Sequence, residues 1–222
     1  FSIGVENEKF LFDIKSNSRA NYRQVKDVLN FLKKFGWKEI IEDKNLIGLN
    51  NNKQSITLEP GNQIELSGRL CENVHQVCAE SFKFQKQLDE ACAYLGLETL
   101  SIGYDPITAL QNSPNNPKKR YKIMTMEMPK NGKSSLEMMY QTCGTQINLD
   151  YSSEEDFTKK FKIISFLTPL TIALFSNSAV KEGNPTGYLS YRTKVWQDTS
   201  RAGLPDFFLD EVTFEKYADY AL

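Results

Sequence analysis

Histidine is nearly absent from this chain, and neither its cysteines nor its charges are arranged for the roles they most often carry. The 222 residues include one histidine, His75, and four cysteines, Cys71, Cys78, Cys92 and Cys143. No two cysteines form a C-x-x-C pair, and the spacings do not suit a structural zinc site. The net charge of -1 supplies neither a basic field for nucleic acid nor an acidic tail, so charge says little about partners. The longest apolar stretch, 163–175, is too short to span a bilayer and contains Pro169; it reads as a buried helix. No signal peptide opens the chain and no N-x-[ST] sequon occurs in it. The cysteines are therefore expected to be reduced and mostly packed, and the setting cytoplasmic. Familiar nucleotide and nucleophile signatures are missing as well, since there is no G-x-G-x-x-G and no G-x-S-x-G. The run Asn131-Gly132-Lys133-Ser134 ends like a phosphate-binding loop, but Glu127 stands where its leading glycine belongs, and a turn is expected there.

What is present is an ordinary globular composition, 40% hydrophobic and 25% charged, enough for one large domain or two small ones. No linker, repeat or low-complexity tract divides it, so residues 1–222 are expected to form a single domain. Patterning begins at once after Phe1 and continues to Leu222, which predicts a piece of something longer at both ends.

Residues 2–13 alternate as a strand, with Ile3, Val5 and Leu11 on one face and Glu6, Glu8, Phe10 and Phe12 on the other. From Tyr22 the apolar spacing turns helical and Gly36 supplies the stop. Short strands are predicted at 38–42, 45–50, 54–59 and 63–67. A long amphipathic helix follows over 74–95, with Val74, Val77, Cys78, Ser81, Gln85, Leu88, Cys92 and Leu95 in one stripe and His75 at its surface. After an Asn- and Pro-rich loop at 111–117, Arg120 lies on a short helix stopped by Pro129. Residues 142–151 alternate again, and Ser152 with Glu155 forms a capping box for the next helix. The segment 177–206 is irregular and longer than a simple connection, a candidate functional loop. Short strands mixed with helices predict an α+β domain with an antiparallel sheet.

Four glutamates carry the strongest chemical signal. Glu6 and Glu8, two apart on a strand, project from the same face. Glu59 and Glu65 flank Pro60-Gly61-Asn62-Gln63, a turn that can join two strands. A three-residue loop would set Glu59 opposite Glu65, whereas a two-residue Gly-Asn loop would set it opposite Ile64, and the spacing leaves both registers open. Like charges facing each other across strands are destabilising, the more so when buried, unless a cation lies between them. Carboxylates without a Cys or His cluster favour Mg²⁺ or Mn²⁺ over Zn²⁺. Gln146, Asn148 and Asp150 share a face of their strand and could join the same polar site. Surface strands also carry glutamates for solubility alone, and the basic run Lys118-Lys119-Arg120 would ordinarily be a solvated helix face. Trp196 and the tyrosines near it suit a core equally well.

The stretches IGVENEKF (3–10), TLEPGNQIELSG (57–68), RYKIMTMEMPK (120–130), TCGTQINLDYSSE (142–154), LSYRTKVW (189–196) and FEKYADYAL (214–222) resemble the plant and proteobacterial type of glutamate–cysteine ligase. The resemblance runs in order through the whole chain, and the TLEPG-QIELSG block is its most specific part. It implies a glutamine-synthetase-like fold, in which a curved antiparallel sheet carries the active site. It also implies a reaction in which ATP phosphorylates the γ-carboxylate of glutamate and the cysteine amine displaces phosphate, the first step of glutathione biosynthesis. Mg²⁺ would be held by Glu6, Glu8, Glu59 and Glu65 with Gln146 as a neutral oxygen ligand. Arg120 and Arg192 would grip glutamate, Tyr191 and Trp196 would wall its pocket, and Asn148 and Arg201 would face the nucleotide. Asn62 departs from the family pattern, which has a second glycine there, and Gly144-Thr145 replaces the usual Thr-Val. Two other readings stay open: a related ligase that joins glutamate to a different amine, and a non-catalytic fragment that binds nucleotide or glutamate.

Overall fold

Eleven residues of alternating character, Ile3–Asp13, make β1, the axis of the molecule. The computed structural model of the chain describes residues 1–130, 132–199 and 213–215. A two-residue strand β2 (Ser18–Arg19) precedes α1 (Tyr22–Leu32). Asn21 caps this helix, accepting from the Gln24 amide while the Gln24 side chain accepts from the Asn21 amide. A 3-10 turn over Lys33–Phe35 ends at Gly36, whose φ of 90° is the left-handed conformation that the glycine supplies without strain. Then come β3 (Lys38–Glu42), β4 (Asn45–Asn51), β5 (Gln54–Leu58) and β6 (Ile64–Ser67), all joined by tight turns. After α2 (Val74–Leu95) and β7 (Leu97–Leu100), the chain forms α3 (Lys119–Glu127), α4 (Ser135–Gln141), β8 (Thr145–Leu149) and α5 (Glu154–Leu174). A small hairpin, β9 (Val180–Lys181) and β10 (Asn184–Pro185), leads to α6 (Tyr191–Gln197).

The eight strands from β1 to β8 form one sheet, in which the order β2-β1-β6-β5-β4-β3 is extended by β7 and β8, both paired to β1. Every pairing is antiparallel. β1 is long enough to change neighbours along its length. Its first half lies between β6 and β8, and its second half pairs with β2 and β7. The architecture is mixed α+β with an antiparallel sheet and flanking helices, as the alternating short strands predict.

The two faces of the sheet differ. On one, Leu11, Leu49, Ile56, Leu58, Ile64 and Leu66 pack against Val25, Val28, Leu29 and Leu32 of α1 and Phe84, Leu88, Ala91 and Cys92 of α2. Each of the valine, leucine, isoleucine and phenylalanine side chains contributes roughly 1.5–3 kcal/mol by leaving water. The other face has only a small apolar cluster over the second half of β1, where Phe10, Phe12 and Cys143 meet Leu100 and Ile102. Over the first half of β1 that face is polar, and this is where the glutamates stand.

Four expectations need correction. The stripe of α2 is rotated from the one drawn on periodicity: Glu80, Phe84, Gln87 and Ala91 are buried, while Val74 and Cys78 are exposed. Glu80 belongs inside because its carboxylate accepts from the Arg69 amide and the Gln54 side chain. Ser153, not Ser152, caps α5, and Asp156 accepts from the Ser152 amide in return. The run 163–175 does not form a buried helix. α5 continues through Pro169 with none of its described residues buried, and Phe166 and Phe175 are 86% and 76% exposed. Apolar composition alone cannot bury a helix, and no described element covers this one beyond its first turns. Finally, the segment 177–206 is not irregular throughout: it holds the β9–β10 hairpin and α6, and its residues 200–206 lie outside the described residues. His75 is exposed, residues 133–134 form a turn, and three of the four cysteines, Cys71, Cys92 and Cys143, are packed, all as expected. No helix among the described residues is long and apolar enough to cross a membrane.

Candidate functional site

Glu6 and Glu8 project from the open face because they are two residues apart on β1. Strand pairing then sets their neighbours. Gln146 of β8 and Ser67 of β6 flank Glu6, and Glu65 of β6 lies directly opposite Glu8. On the far side of Glu65 stands Thr57 of β5.

The hairpin that carries Glu59 and Glu65 adopts neither of the two registers left open by spacing. Leu58 pairs with Ile64, and the Glu59 amide donates to the Gln63 carbonyl at 2.9 Å, so the loop is Pro60-Gly61-Asn62. Glu65 therefore faces Thr57, and Glu59 lies one diagonal step away. The shift from the Glu59–Glu65 register is two residues, which preserves the face, so both carboxylates still join the row. The turn explains the shift. Asn62 has φ 62°, the left-handed region that asparagine tolerates next best to glycine, and its amide side chain donates to the Ala20 carbonyl at 3.3 Å. A Cβ on Gly61 would overlap the Tyr140 carbonyl oxygen, so a side chain cannot be placed there without moving backbone. Gln63 ties the hairpin to the entry of β8, donating to the Thr142 carbonyl at 2.7 Å.

Electrostatics record the crowding. Glu8 is pushed up to about 7 by burial first and then by the Glu59 and Glu65 charges. The Gly144 amide, which donates to it at 2.6 Å, and Arg192 only partly oppose this. Burial and the Glu65 charge also raise Glu6, against a hydrogen bond from Asn148. Glu59 is raised by burial and by Glu65, and is opposed by the Tyr121 hydroxyl, Lys118 and Arg120. Glu65 accepts from Ser67 Oγ at 2.9 Å and from Thr57 Oγ1 at 3.2 Å. The glutamates make a row across three antiparallel chain segments rather than a closed cage. Among the described residues no three His, Cys, Asp or Glu groups already converge on one metal-sized point. All the donors in the row are oxygens, the set suited to Mg²⁺ or Mn²⁺.

Two arginines border the row. Arg120, on α3, is 4.0 Å from Glu59 Oε1 and stacks on Tyr121 at 4.7 Å, with its side chain 65% exposed. Tyr121 is buried and donates to Glu59 Oε1 at 3.0 Å; sequence patterning did not single it out. Arg192, on α6, lies against Gly144, where an added Cβ would stand 3.0 Å from its Nη2. Its Nε is buried with no hydrogen-bond partner among the described residues, and its guanidinium carbon is 5.2 Å from the Trp196 ring. Gly144 thus has a role in this chain, since it admits the guanidinium close to Glu8. Tyr191 turns away from the row into the protein, edge-on to Tyr104 at 4.9 Å. Gln146 and Asn148 hydrogen-bond each other at 3.2 Å on the exposed β8. Asp150 lies at the end of the strand and accepts from the Ser2 amide at 2.8 Å. Arg201 lies outside the described residues.

A second support went unseen in the sequence. Arg19 and Asp105 form a buried pair at 2.8 Å, and Arg19 also donates to the Gly61 carbonyl and stacks on Phe10 at 4.2 Å. This pair holds the hairpin loop beside the glutamate row. Its partners are 86 residues apart, so no local pattern could announce it.

With this geometry in place, the comparisons with known proteins are specific. The model of glutamate–cysteine ligase family 2 matches residues 2–222. The chain is 47% identical over 224 residues to glutamate–cysteine ligase A, chloroplastic, of Oryza sativa subsp. japonica, covering 99% of this chain and 46% of the relative. It is 45% identical to the chloroplastic glutamate–cysteine ligase of Nicotiana tabacum, over 99% of this chain and 43% of the relative. For that of Arabidopsis thaliana the identity is 43%, over 100% and 43%. The chain spans less than half the length of these curated relatives. All three are named as chloroplastic, which overturns the cytoplasmic placement read from the cysteines. Unpaired thiols do not name a compartment.

Proposed function

Since the chain belongs to glutamate–cysteine ligase family 2, we propose that it supplies the glutamate-activating face of an ATP- and Mg²⁺-dependent ligase. The reaction joins the γ-carboxylate of L-glutamate to the amino group of L-cysteine through γ-glutamyl phosphate, the first step of glutathione biosynthesis. Glutamate, cysteine and ATP are its partners, the sheet is the glutamine-synthetase-like scaffold, and residues 1–222 act as one catalytic domain. The relatives' names favour a plastid setting.

The observation that carries this reading is the glutamate row. Glu8 and Glu65 face each other across β1 and β6, with Glu6 and Glu59 on the same face and only partial compensation from the arginines. Leaving such carboxylates ionised and unneutralised is costly, and a hard divalent cation offsets that cost with the oxygens already there. Glu6, Glu8, Glu59, Glu65 and Gln146 would hold Mg²⁺, with Mn²⁺ as a substitute. When bound, the cation supplies charge neutralisation for the transferring phosphoryl group.

The chain's own residues do the positioning. Arg192, with an Nε unpartnered among the described residues and a guanidinium pressed on Gly144, is prepared to grip one carboxylate of glutamate in a planar, two-pronged hydrogen bond. Arg120, exposed at the rim and 4.0 Å from Glu59, closes on the same substrate from the other side. Trp196 backs Arg192 and walls the pocket, and Asn148 faces the nucleotide beside Gln146. The test is Arg120→Ala in the natural protein that carries this sequence. The glutamate KM should rise by about tenfold or more while the ATP KM stays within about twofold, because a group bonded to one substrate changes the binding of that substrate. Equal changes for both substrates would remove the assignment.

A further inference from the structure

α6 has only seven residues, Tyr191–Gln197, too few to hold its own direction, so whatever anchors its first turn aims Arg192. That anchor lies behind the glutamate row. Glu137, on α4, accepts from Lys181 Nζ at 2.8 Å through one carboxylate oxygen. Through the other it accepts from the Tyr104 hydroxyl at 3.0 Å and the Tyr191 hydroxyl at 3.4 Å. Lys181, at the end of β9, also donates to the Tyr191 hydroxyl at 3.2 Å. Tyr104 is fully buried and its hydroxyl is 2.5 Å from Gln141 Oε1, while Gln141 donates to the Thr108 carbonyl at 2.5 Å. One carboxylate thus joins α4, the 104–108 segment, the β9–β10 hairpin and α6.

The residue after Tyr191 is Arg192, and its side chain runs through a slot with almost no play. A Cβ on Gly103 would be 3.2 Å from Arg192 Cδ, and one on Gly144 would be 3.0 Å from Nη2. The start of α6 is pinned to the same wall, since the Tyr191 amide donates to the Ser178 carbonyl at 2.9 Å and the Arg192 amide to Ser178 Oγ at 3.2 Å. We propose that Glu137, clamped by Lys181, is a positioning residue that holds Tyr191 and thereby aims Arg192 at the carboxylate substrate. The inference rests on the reading that Arg192 grips glutamate. In water-excluded sites an ångström of misalignment is felt strongly, so a clamp of this kind acts on substrate binding without touching substrate.

The test uses Glu137→Gln, which keeps the shape and removes the charge, together with Tyr191→Phe, which removes a single hydroxyl, and Lys181→Arg, which keeps the cation. Activity is measured in the natural protein that carries this sequence, and the position of α6 is read from acrylamide quenching of Trp196 without any substrate. The other tryptophan, Trp37, is buried against Gln87 and far from the clamp in sequence and contacts, so a change in quenching reports α6. Glu137→Gln and Tyr191→Phe should each raise the glutamate KM by about tenfold, with kcat and the ATP KM within about twofold, and should increase Trp196 quenching. Lys181→Arg, which keeps the cation beside Glu137, should leave both near the values of the unmodified protein. Unchanged quenching and an unchanged glutamate KM in Tyr191→Phe would overturn the clamp, whether or not Glu137→Gln folds. If quenching rises in the variants but glutamate never affects the unmodified protein, the clamp stands as a holder of α6 and the substrate assigned to Arg192 is wrong.

Discussion

Replacing Glu8 by glutamine should make the metal-free protein more stable at neutral and alkaline pH, the reverse of what losing a useful buried charge would do. Burial and the charges of Glu59 and Glu65 push Glu8 from its ordinary value of 4.5 up to about 7. Between those two values the folded chain holds a proton that the unfolded chain has released. Stability is therefore fully present below about pH 4.5, falls as pH rises, and has lost this contribution above about pH 7. At about 1.36 kcal/mol per pH unit the loss is about 3 kcal/mol, an upper figure because surrounding groups relax. Glutamine has nearly the same shape and its carbonyl can still accept from the Gly144 amide, so the substitution removes the charge and little else. Urea unfolding in the presence of a chelator should show Glu8→Gln more stable than the unmodified protein by about 2–3 kcal/mol at about pH 8, and equal to it at about pH 4.5. Saturating Mg²⁺ at the higher pH should erase the difference by stabilising the unmodified protein alone; ligand at a hundredfold excess over Kd contributes about 2.7 kcal/mol. A variant less stable than its parent at about pH 8 without metal would refute the reasoning. Glu8 would then be a compensated carboxylate and the row would not be a place of stored repulsion.

Two further substitutions probe the support of the site. Gly61→Ala forces a methyl group into the Tyr140 carbonyl oxygen, and because both sides are backbone the cost should be about 1–3 kcal/mol or more, read as a lowered Tm. A Tm within about 1 °C of the parent would mean that the hairpin loop is not held against α4. Arg19→Met leaves buried Asp105 without its cation and frees the Gly61 carbonyl, so a loss of about 3–5 kcal/mol is expected in urea unfolding. A loss under about 1 kcal/mol would show that the pair does not brace the loop.

Much of this site is written in local pattern. Alternation in 2–13 is enough to put Glu6 and Glu8 on the face opposite Val5 and Leu11, and the same parity carries Glu59, Glu65, Gln146 and Asn148 to the face on which they are found. Parity survives a two-residue slip, which is why the carboxylate row was legible even though the hairpin register was not. The register depends on a left-handed Asn62 and on Gly61 lying against Tyr140, a contact with a residue far along the chain. The same limit hid the pairing of Arg19 with Asp105 and the clamp around Glu137, where the partners come from separate elements and none has a distinctive sequence neighbourhood. Misreading α2 and α5 has a related cause. Periodicity marks an apolar stripe, but a buried carboxylate such as Glu80 enters the core only because Gln54 and Arg69 are there to bond it, and the run 163–175 stays exposed because no described element lies over it. Resemblance supplied what periodicity could not, namely the family, and with it the proposals made here for the substrates and for the roles of the arginines.

The central claim, that this glutamate row serves glutamate activation by ATP, is tested most directly by phosphate release from Mg-ATP by the natural protein that carries this sequence, with glutamate and cysteine supplied together, singly or not at all. The account predicts release that requires Mg²⁺ and both amino acids and that falls by at least about a hundredfold in Glu8→Gln and Glu59→Gln. Release that ignores glutamate, or that survives both substitutions, would contradict it.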